Sequence, residues 1–153
     1  MQVAQVQSAD ELAEVRRLFE EYWKSSGFAL CFQNFGAELA NLPGSYVPPA
    51  GALALATVGG KSAGCIALRR VDAARGEMKR LYVRPEFRGS GTGLALLKWI
   101  VERARAVGYE EIVCDTMPMM QKALAMYHRF GFERCEPYVA SSEPGVIYLR
   151  MKL

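Results

Sequence analysis

Three glycines within five residues, between a predicted strand and a predicted helix, constrain the fold of this chain more than any other feature. They are Gly89, Gly91 and Gly93. Because these positions carry no side chain, the backbone can turn tightly and several N–H groups can point at one oxyanion. The helix that follows adds unpaired N–H donors and a partial positive charge. The pattern therefore predicts a phosphate-binding or pyrophosphate-binding loop.

Two common nucleotide-binding patterns do not fit this loop. The dinucleotide pattern G-x-G-x-x-G lacks its third glycine, whether the count starts at Gly89 or at Gly91. The Walker A pattern needs a lysine after the glycines, and Leu94 stands there instead. A glycine-rich turn can also be a simple entry to a helix, so the loop alone leaves its ligand open.

The length and composition indicate a globular protein. At 153 residues, we expect residues 1–153 to form a single domain. The chain is 51% apolar and 23% charged, which is ordinary for soluble proteins. No apolar run reaches the ~18 residues of a membrane span, and the N-terminus does not resemble a signal peptide. The net charge of +3 is too small to indicate nucleic-acid binding, so we expect neither a membrane nor a nucleic-acid partner.

The cysteines and the histidine predict no metal site. The four cysteines are widely spaced, no pair forms C-x-x-C, and His128 is the only histidine. A Ser-His-Asp triad would need His128, but the chain has no G-x-S-x-G elbow. We expect reduced core thiols in a cytoplasmic protein. The cysteines are Cys31, Cys65, Cys114 and Cys135.

Hydrophobic periodicity predicts the element order β-α-α-β-β-β-α-β-α-β-β. Ser8 and Glu11 form a capping box at the start of the first helix. The predicted strands are residues 3–7, 52–58, 63–71, 77–83, 111–116, 134–139 and 146–153; the predicted helices lie within 8–27, 32–42, 91–107 and 121–130. Three hairpin strands and a strand–helix–strand crossover predict a mixed sheet with helices packed on it, an α/β fold that some schemes class as α+β.

The loop reads R-x-x-G-x-G through Arg88, Gly91 and Gly93, and a later helix ends A-x-x-x-Y-x-x-x-G-F through Ala123, Tyr127, Gly131 and Phe132. These two motifs resemble those of the GNAT superfamily of acyl-CoA-dependent N-acyltransferases. In that family a strand ends at a V-x-P-like turn, followed by R-x-x-G-x-G/A and a helix, and a later helix ends with the second motif. The resemblance implies a mixed, mostly antiparallel central sheet of about six or seven strands, flanked by about four helices.

The resemblance also implies acetyl-CoA as cosubstrate, without a metal. The loop backbone would bind the pyrophosphate of coenzyme A, and the preceding strand would pair with the pantetheine arm. The implied binding residues are Leu81, Tyr82, Val83, Arg88, Gly89, Ser90, Gly91, Thr92, Gly93 and Leu94. Lys79, Arg80 and Arg84 lie close by in the sequence, where they would either screen the charge of coenzyme A or form an ordinary solvated face.

The implied reaction is direct attack of an amine on a thioester, which needs a proton acceptor and a proton donor. Tyr127 matches the family tyrosine beside the coenzyme sulfur, so we predict it as the donor; packing or orienting the thioester is the alternative. Glu77 matches a glutamate that some members use as base, and Asp115 is the rival. Met120 stands where many members have an asparagine that binds pantetheine.

In this family the binding site for the acceptor substrate usually lies between the early helices, the middle strands and the final hairpin. The matching segments are residues 27–35, 43–49 and 138–148, with Phe28, Phe32, Phe35, Glu38, Tyr46, Tyr138 and Glu143. They favour a small-molecule or peptide amine as acceptor; the alternative is that the aromatic residues belong to the hydrophobic core. The expected function is N-acetyltransfer to a primary amine, in a protein that can form the homodimer common in the family. The alternatives are a non-catalytic acyl-CoA-binding regulatory module and a protein that binds ATP or NAD.

Overall fold

The computed structural model describes residues 1–27, 34–140 and 144–153. Within them, seven strands form one sheet in the order β1-β2-β3-β4-β5-β7-β6. The strands are β1 (Gln2–Gln5), β2 (Ala52–Val58), β3 (Lys61–Arg70), β4 (Arg75–Val83), β5 (Glu111–Thr116), β6 (Glu133–Arg134) and β7 (Ile147–Lys152). The helices are α1 (Ala9–Ser26), α2 (Phe35–Ala40), α3 (Thr92–Val107) and α4 (Gln121–Phe130). Only β4 and β5 pair in parallel among these described strands, so the predicted mixed sheet is confirmed.

Helices cover both faces of the sheet, and each face has its own core. Residues such as Leu97 and Ile100 of α3 pack on one face, together with α4. Residues such as Phe19 of α1 and Phe35 of α2 pack on the other. We call these the α3 face and the α1 face. Among the described helices, none is long and apolar enough to cross a lipid bilayer.

The predicted helix boundaries follow local signals. The Glu11 N–H donates to Ser8 Oγ at 3.1 Å, and the Ser8 N–H donates to Glu11 Oε1 at 3.0 Å, which confirms the capping box of α1. Gly27 ends α1 with a φ of 75°, in the left-handed region that glycine adopts most easily.

The strand predicted at residues 134–139 is wrong, because β6 covers only Glu133–Arg134. One further backbone bond follows, from the Cys135 N–H to the Tyr148 carbonyl at 2.9 Å. Pro137 then has no N–H to donate to a ladder, so pairing cannot continue.

The cysteine prediction is confirmed in part. Cys65 and Cys114 are free, buried thiols, as expected. Cys135 is also free but only partly buried, because it lies beyond the end of β6. Cys31 lies outside the described residues.

The middle of the sheet opens between β4 and β5. The two strands pair over only three positions, from Arg75 with Glu111 to Glu77 with Val113. A β-bulge then shifts the register of β4 against β3, and its extra residue, Arg80, has a φ of 60°. A bulge bends the strand that carries it. We call the resulting opening the β4–β5 cleft.

The bulge also decides which side chains of β4 share a face. Lys79 pairs with Ala67 and Tyr82 pairs with Cys65, and both of these partners belong to the core of the α1 face. Leu81 and Val83 instead pack on the core of the α3 face. The sides of the cleft therefore differ, because polar residues of β4 meet the α1 face and apolar ones meet the α3 face.

Candidate active site

A cavity of about 190 Å³ fills the β4–β5 cleft. Its walls come from α1, β4, β5, the segment after β5 and α4. Toward the α3 face the lining is mainly apolar, with Leu81, Val83 and Tyr127. Toward the α1 face it includes Lys79 and Asp115. The cavity therefore joins an apolar wall to a charged end across the sheet.

The glycine-rich loop lies between the end of β4 and the start of α3. Gly89 and Gly91 have φ values of 81° and 87°, in the left-handed region. A Cβ at either position would meet nothing within 4 Å, so the backbone conformation, and not crowding, requires glycine here. Gly91 caps α3 without a side-chain hydrogen bond, which leaves first-turn N–H groups for an anion. The loop fits a pyrophosphate.

The other predicted loop residues keep this loop in place or lie at its surface. Ser90 donates to the Phe87 carbonyl, and its hydroxyl lies 3.0 Å from Thr92 Oγ1. Gly93 lies next to Val83, and a Cβ added at Gly93 would make ordinary van der Waals contacts with the Val83 side chain. Leu94 is exposed on the first turn of α3.

The last residues of β4 present a backbone edge to the cleft. Beyond Glu77 the described register pairs β4 with β3 alone. An extended ligand can bind such an edge like an added strand. Arg88 folds back onto the end of β4, where its Nε–H donates to the Val83 carbonyl at 2.8 Å and its guanidinium lies 5.7 Å from the Tyr82 ring centre.

A network of charged side chains closes the α1-face end of the cleft. Glu77 accepts hydrogen bonds from Arg69 Nε and from the Tyr138 hydroxyl, both at 2.7 Å. Lys79 Nζ lies 3.9 Å from Glu77 Oε2 and 4.0 Å from Asp115 Oδ1. The side chain of Lys79 is 4% exposed, that of Glu77 1% and that of Asp115 15%.

Burial and these neighbours oppose each other in the pKa of Glu77 and of Lys79. Burial alone would raise the pKa of the Glu77 carboxyl, but Lys79, Arg69 and the Tyr138 hydroxyl together bring it below its usual value. Burial lowers the pKa of the Lys79 ammonium, and Glu77 and Asp115 only partly offset this effect. Glu77 is therefore a weak proton acceptor, whereas Lys79 releases its proton more readily than an exposed lysine.

Three tyrosines line the cavity: Tyr22, Tyr82 and Tyr127. Burial raises the pKa of Tyr127 well above its usual value, and raises that of Tyr22 to about 12, so both keep their protons at neutral pH. Tyr22 stacks on Tyr82 at 5.9 Å between ring centres, and its hydroxyl lies 3.9 Å from Met120 Sδ. Met120 Sδ also accepts a contact from the Thr116 hydroxyl at 3.4 Å.

The comparisons with known proteins agree with this geometry. Residues 12–132 match the model of the acetyltransferase (GNAT) family. The chain belongs to the GNAT family. An uncharacterized N-acetyltransferase of Schizosaccharomyces pombe is 37% identical over 153 residues, which cover 99% of this chain and 94% of that protein.

Solved structures share the GNAT fold of this chain. An acetyltransferase from Streptococcus agalactiae aligns with a TM-score of 0.83 at 19% identity, over 99% of this chain and 98% of that one. A GNAT family acetyltransferase from Elizabethkingia anophelis, with acetyl-CoA bound, aligns with a TM-score of 0.71 at 20% identity, over 99% and 97% of the two chains.

The cleft of this GNAT chain brings together five of the thirteen residues that the sequence predicts for catalysis and cofactor binding. Tyr127 and Asp115 line the same cavity as the residues 81–83 of β4. Glu77 is not among the described lining residues, and its Oε2 lies 3.9 Å from Lys79 Nζ. Sequence reasoning missed the placement of Tyr22 and Lys79 in this cavity. Tyr22 carries only an apolar helix signal, and Lys79 carries only a charge on a strand.

The basic residues near the loop in sequence are placed differently in space. Arg80 binds Glu38 through two hydrogen bonds of 2.8 and 2.9 Å, and its guanidinium lies 4.9 Å from the Trp23 ring centre. Arg84 binds Glu21 at 2.7 Å. These two arginines therefore join α1 and α2 to β4.

The segments expected around the acceptor are described only in part. Phe35 and Tyr46 are core residues of the α1 face, and Tyr138 binds Glu77 at the end of the cleft. Phe28, Phe32 and Glu143 lie outside the described residues.

Proposed function

We propose that this GNAT protein transfers the acetyl group of acetyl-CoA to a primary amine of a small molecule or peptide, by direct attack. The observation that carries the proposal is that the glycine-rich loop follows the open edge of β4, and that the last residues of β4 line the same cavity as Tyr127 and Asp115. The acetyl-CoA bound to the Elizabethkingia anophelis relative supports the same ligand. The homodimer and the cytoplasmic location stay predictions.

The backbone would provide most of the binding for acetyl-CoA. The N–H groups of residues 89–94 would hold the pyrophosphate, and the backbone of Leu81, Tyr82 and Val83 would pair with the pantetheine arm. Bound acetyl-CoA supplies an electrophilic thioester carbon. A backbone N–H of β4 would polarise its carbonyl and stabilise the negative charge that develops on the oxygen.

We assign Asp115 as the proton acceptor for the incoming ammonium. Its carboxylate lines the cavity and remains partly exposed, so protons can leave to solvent. Glu77 is the alternative, but it is not among the described residues that line the cavity, and three neighbouring side chains lower its pKa. Tyr127 would donate a proton to the departing thiolate, since burial keeps its phenol protonated.

The experiment that tests this function has two stages. The melting temperature is measured with acetyl-CoA, coenzyme A, ATP and NAD in turn. A ligand at ~100 times its Kd stabilises the native state by about 2.7 kcal/mol, which raises the melting temperature by several degrees. We expect this rise with acetyl-CoA and coenzyme A. An amine panel is then screened for acetyl-CoA-dependent release of free thiol.

Each outcome of this experiment has a distinct meaning. A rise with ATP or NAD alone would return the loop to nucleotide binding. A rise with acetyl-CoA but no thiol release with any class of amine would favour the regulatory acyl-CoA-binding module. Thiol release with one class of amine would support the proposed reaction and identify the acceptor.

A further inference from the structure

Lys79 differs from every other lysine of the chain in its burial. The other five are exposed to solvent: Lys24, Lys61, Lys98, Lys122 and Lys152. The side chain of Lys79 is only 4% exposed and lines the cavity of the β4–β5 cleft. The chain therefore carries a primary amine of its own inside the cavity that we assign to amine acetylation.

Lys79 lies at the narrow end of the cleft. Glu77 and Val113 are the last paired residues of β4 and β5, and Lys79 and Asp115 each lie two positions further along. Their side chains meet across the gap, with Lys79 Nζ 4.0 Å from Asp115 Oδ1. Residues 81–83, which would hold the pantetheine arm, lie further along β4 and are separated from Lys79 only by Arg80. An arm that runs along this edge toward the narrow end brings its thioester toward Nζ.

The surroundings of Nζ suit a nucleophile. Two carboxylates, those of Glu77 and Asp115, lie within 4.0 Å of it, and the Asp115 carboxylate lines the cavity and can accept its proton. Burial also lowers the pKa of this ammonium, which increases the fraction of neutral amine at neutral pH. The five exposed lysines do not share this burial.

We propose that Lys79 is a self-acetylation site of this protein. The inference rests on the proposed function, because bound acetyl-CoA is the acetyl donor. The Lys79 ammonium loses one proton to Asp115, and its nitrogen lone pair forms a bond to the thioester carbonyl carbon. The carbon–sulfur bond breaks, and the nitrogen loses a second proton. The products are Nε-acetyllysine, coenzyme A with its thiol protonated, and one proton released to solvent.

The test is to incubate the full chain with acetyl-CoA in the absence of any amine acceptor. A chymotryptic digest is then analysed by mass spectrometry over time, because chymotrypsin cleavage does not depend on lysine acetylation. We expect Lys79 to gain one acetyl group at least about tenfold faster than any exposed lysine, since it is positioned in the cleft. The half-time should not change with protein concentration, as for an intramolecular reaction. Intact acetylated protein should lose one positive charge on ion exchange.

Two controls separate this reaction from chemical acetylation at the surface. An excess of coenzyme A should suppress labelling at Lys79 and leave labelling of the exposed lysines unchanged. Lys79→Arg should remove the rapid phase, whereas Lys98→Arg, at an exposed position of α3, should retain it. The decisive measurement is made on the unchanged chain, so it does not depend on the stability of either variant.

The outcomes distinguish this inference from the proposed function. If acetyl-CoA raises the melting temperature and Lys79 still gains acetyl groups no faster than the exposed lysines, self-acetylation is overturned and the proposed function stands. If acetyl-CoA does not bind at all, the proposed function fails and the inference fails with it. Rapid labelling that coenzyme A suppresses supports both.

Discussion

The two ends of the β4–β5 cleft are built in different ways. At the loop end, the groups that we propose bind the ligand are main-chain N–H groups, set by the positive φ of Gly89 and Gly91 and by the start of α3. At the α1-face end they are side chains, with Lys79 between Glu77 and Asp115. A site made of main-chain groups depends on the backbone conformation, so many different side chains are compatible with it at neighbouring positions. A side-chain network depends on charge balance, so a single substitution can change its chemistry.

The largest effect is expected from Asp115→Asn, which keeps the shape of the side chain and removes its negative charge. If Asp115 is the proton acceptor, steady-state kinetics with an active amine should show kcat lower by about 10²–10³-fold. Binding of acetyl-CoA, measured by calorimetry, should change little, because the loop end is untouched.

A matched control for this variant is Asp72→Asn, in an exposed pair with Arg75 away from the cleft. Its kcat should equal that of the unchanged protein. A large loss of kcat in Glu77→Gln, with Asp115→Asn fully active, would instead identify Glu77 as the proton acceptor.

The loop end is tested by Gly91→Val. Valine at a φ of 87° is strained by about 1–3 kcal/mol, so the backbone must move away from its present course. We expect the Kd for coenzyme A, measured by calorimetry, to rise about 10–100-fold. Gly60→Val is the control, since Gly60 has a φ of 78° and equally open space in the β2–β3 turn. If both variants lose affinity equally, the loop is not the pyrophosphate site.

The middle of the cavity is tested by two phenylalanine substitutions. Tyr127→Phe should lower kcat about tenfold with little change in the Kd for acetyl-CoA, because it removes a proton donor but keeps the ring. Tyr22→Phe keeps the stack on Tyr82 and should lower kcat by less than about threefold. The reverse order of effects would show that Tyr22 is the donor.

The smallest effect concerns stability and pH. The carboxyl of Glu77 has a lowered pKa in the folded chain, so its negative charge increases the free energy of unfolding. This contribution is fully present above the unfolded pKa of about 4.5, and it is lost as the pH falls through the lower pKa of the folded chain. Urea unfolding of Glu77→Gln at pH 7 should therefore show a loss of roughly 1 kcal/mol, which shrinks as the pH falls below about 4.5. Glu102→Gln, in an exposed pair with Arg105, should change stability by less than about 0.5 kcal/mol at either pH. An equal loss from Glu77→Gln at both pH values would rule out this charge effect.

The sequence predicted the local structure at the loop end of the cleft much better than the contacts at the other end. A glycine-rich turn and a helix start lie next to each other in the chain, so local patterns identify them. The charged end is assembled from β3, β4, β5 and the segment after β6, through Arg69, Lys79, Asp115 and Tyr138. These residues are far apart in the sequence, so no local pattern predicts that they are in contact.

In the fold, too, the features set by local sequence were predicted and the features set by tertiary contacts were not. Periodicity and turn residues predicted the order of the strands and helices, because each of these signals is local. The bulge at Arg80 was not predicted, since it depends on how β4 pairs with β3 and not on the residues of β4 alone. A simple two-residue alternation from Glu77 onward would place Lys79 and Tyr82 on opposite faces, whereas the structure places them on the same face.

This extra residue makes the length of β4 as important as its composition. Deleting Arg80 would leave Leu81 and Val83 on the α3 face and Tyr82 on the α1 face but would remove the bulge that bends β4, whereas inserting one residue after Arg80 would exchange the faces of Leu81, Tyr82 and Val83. A point substitution in this strand alters one contact, whereas a one-residue change in its length either removes the bulge or exchanges the faces of all the side chains that follow. During divergence we therefore expect insertions and deletions to be eliminated from residues 79–82 while they accumulate in surface loops, and an alignment of related chains without gaps at these positions would record that selection.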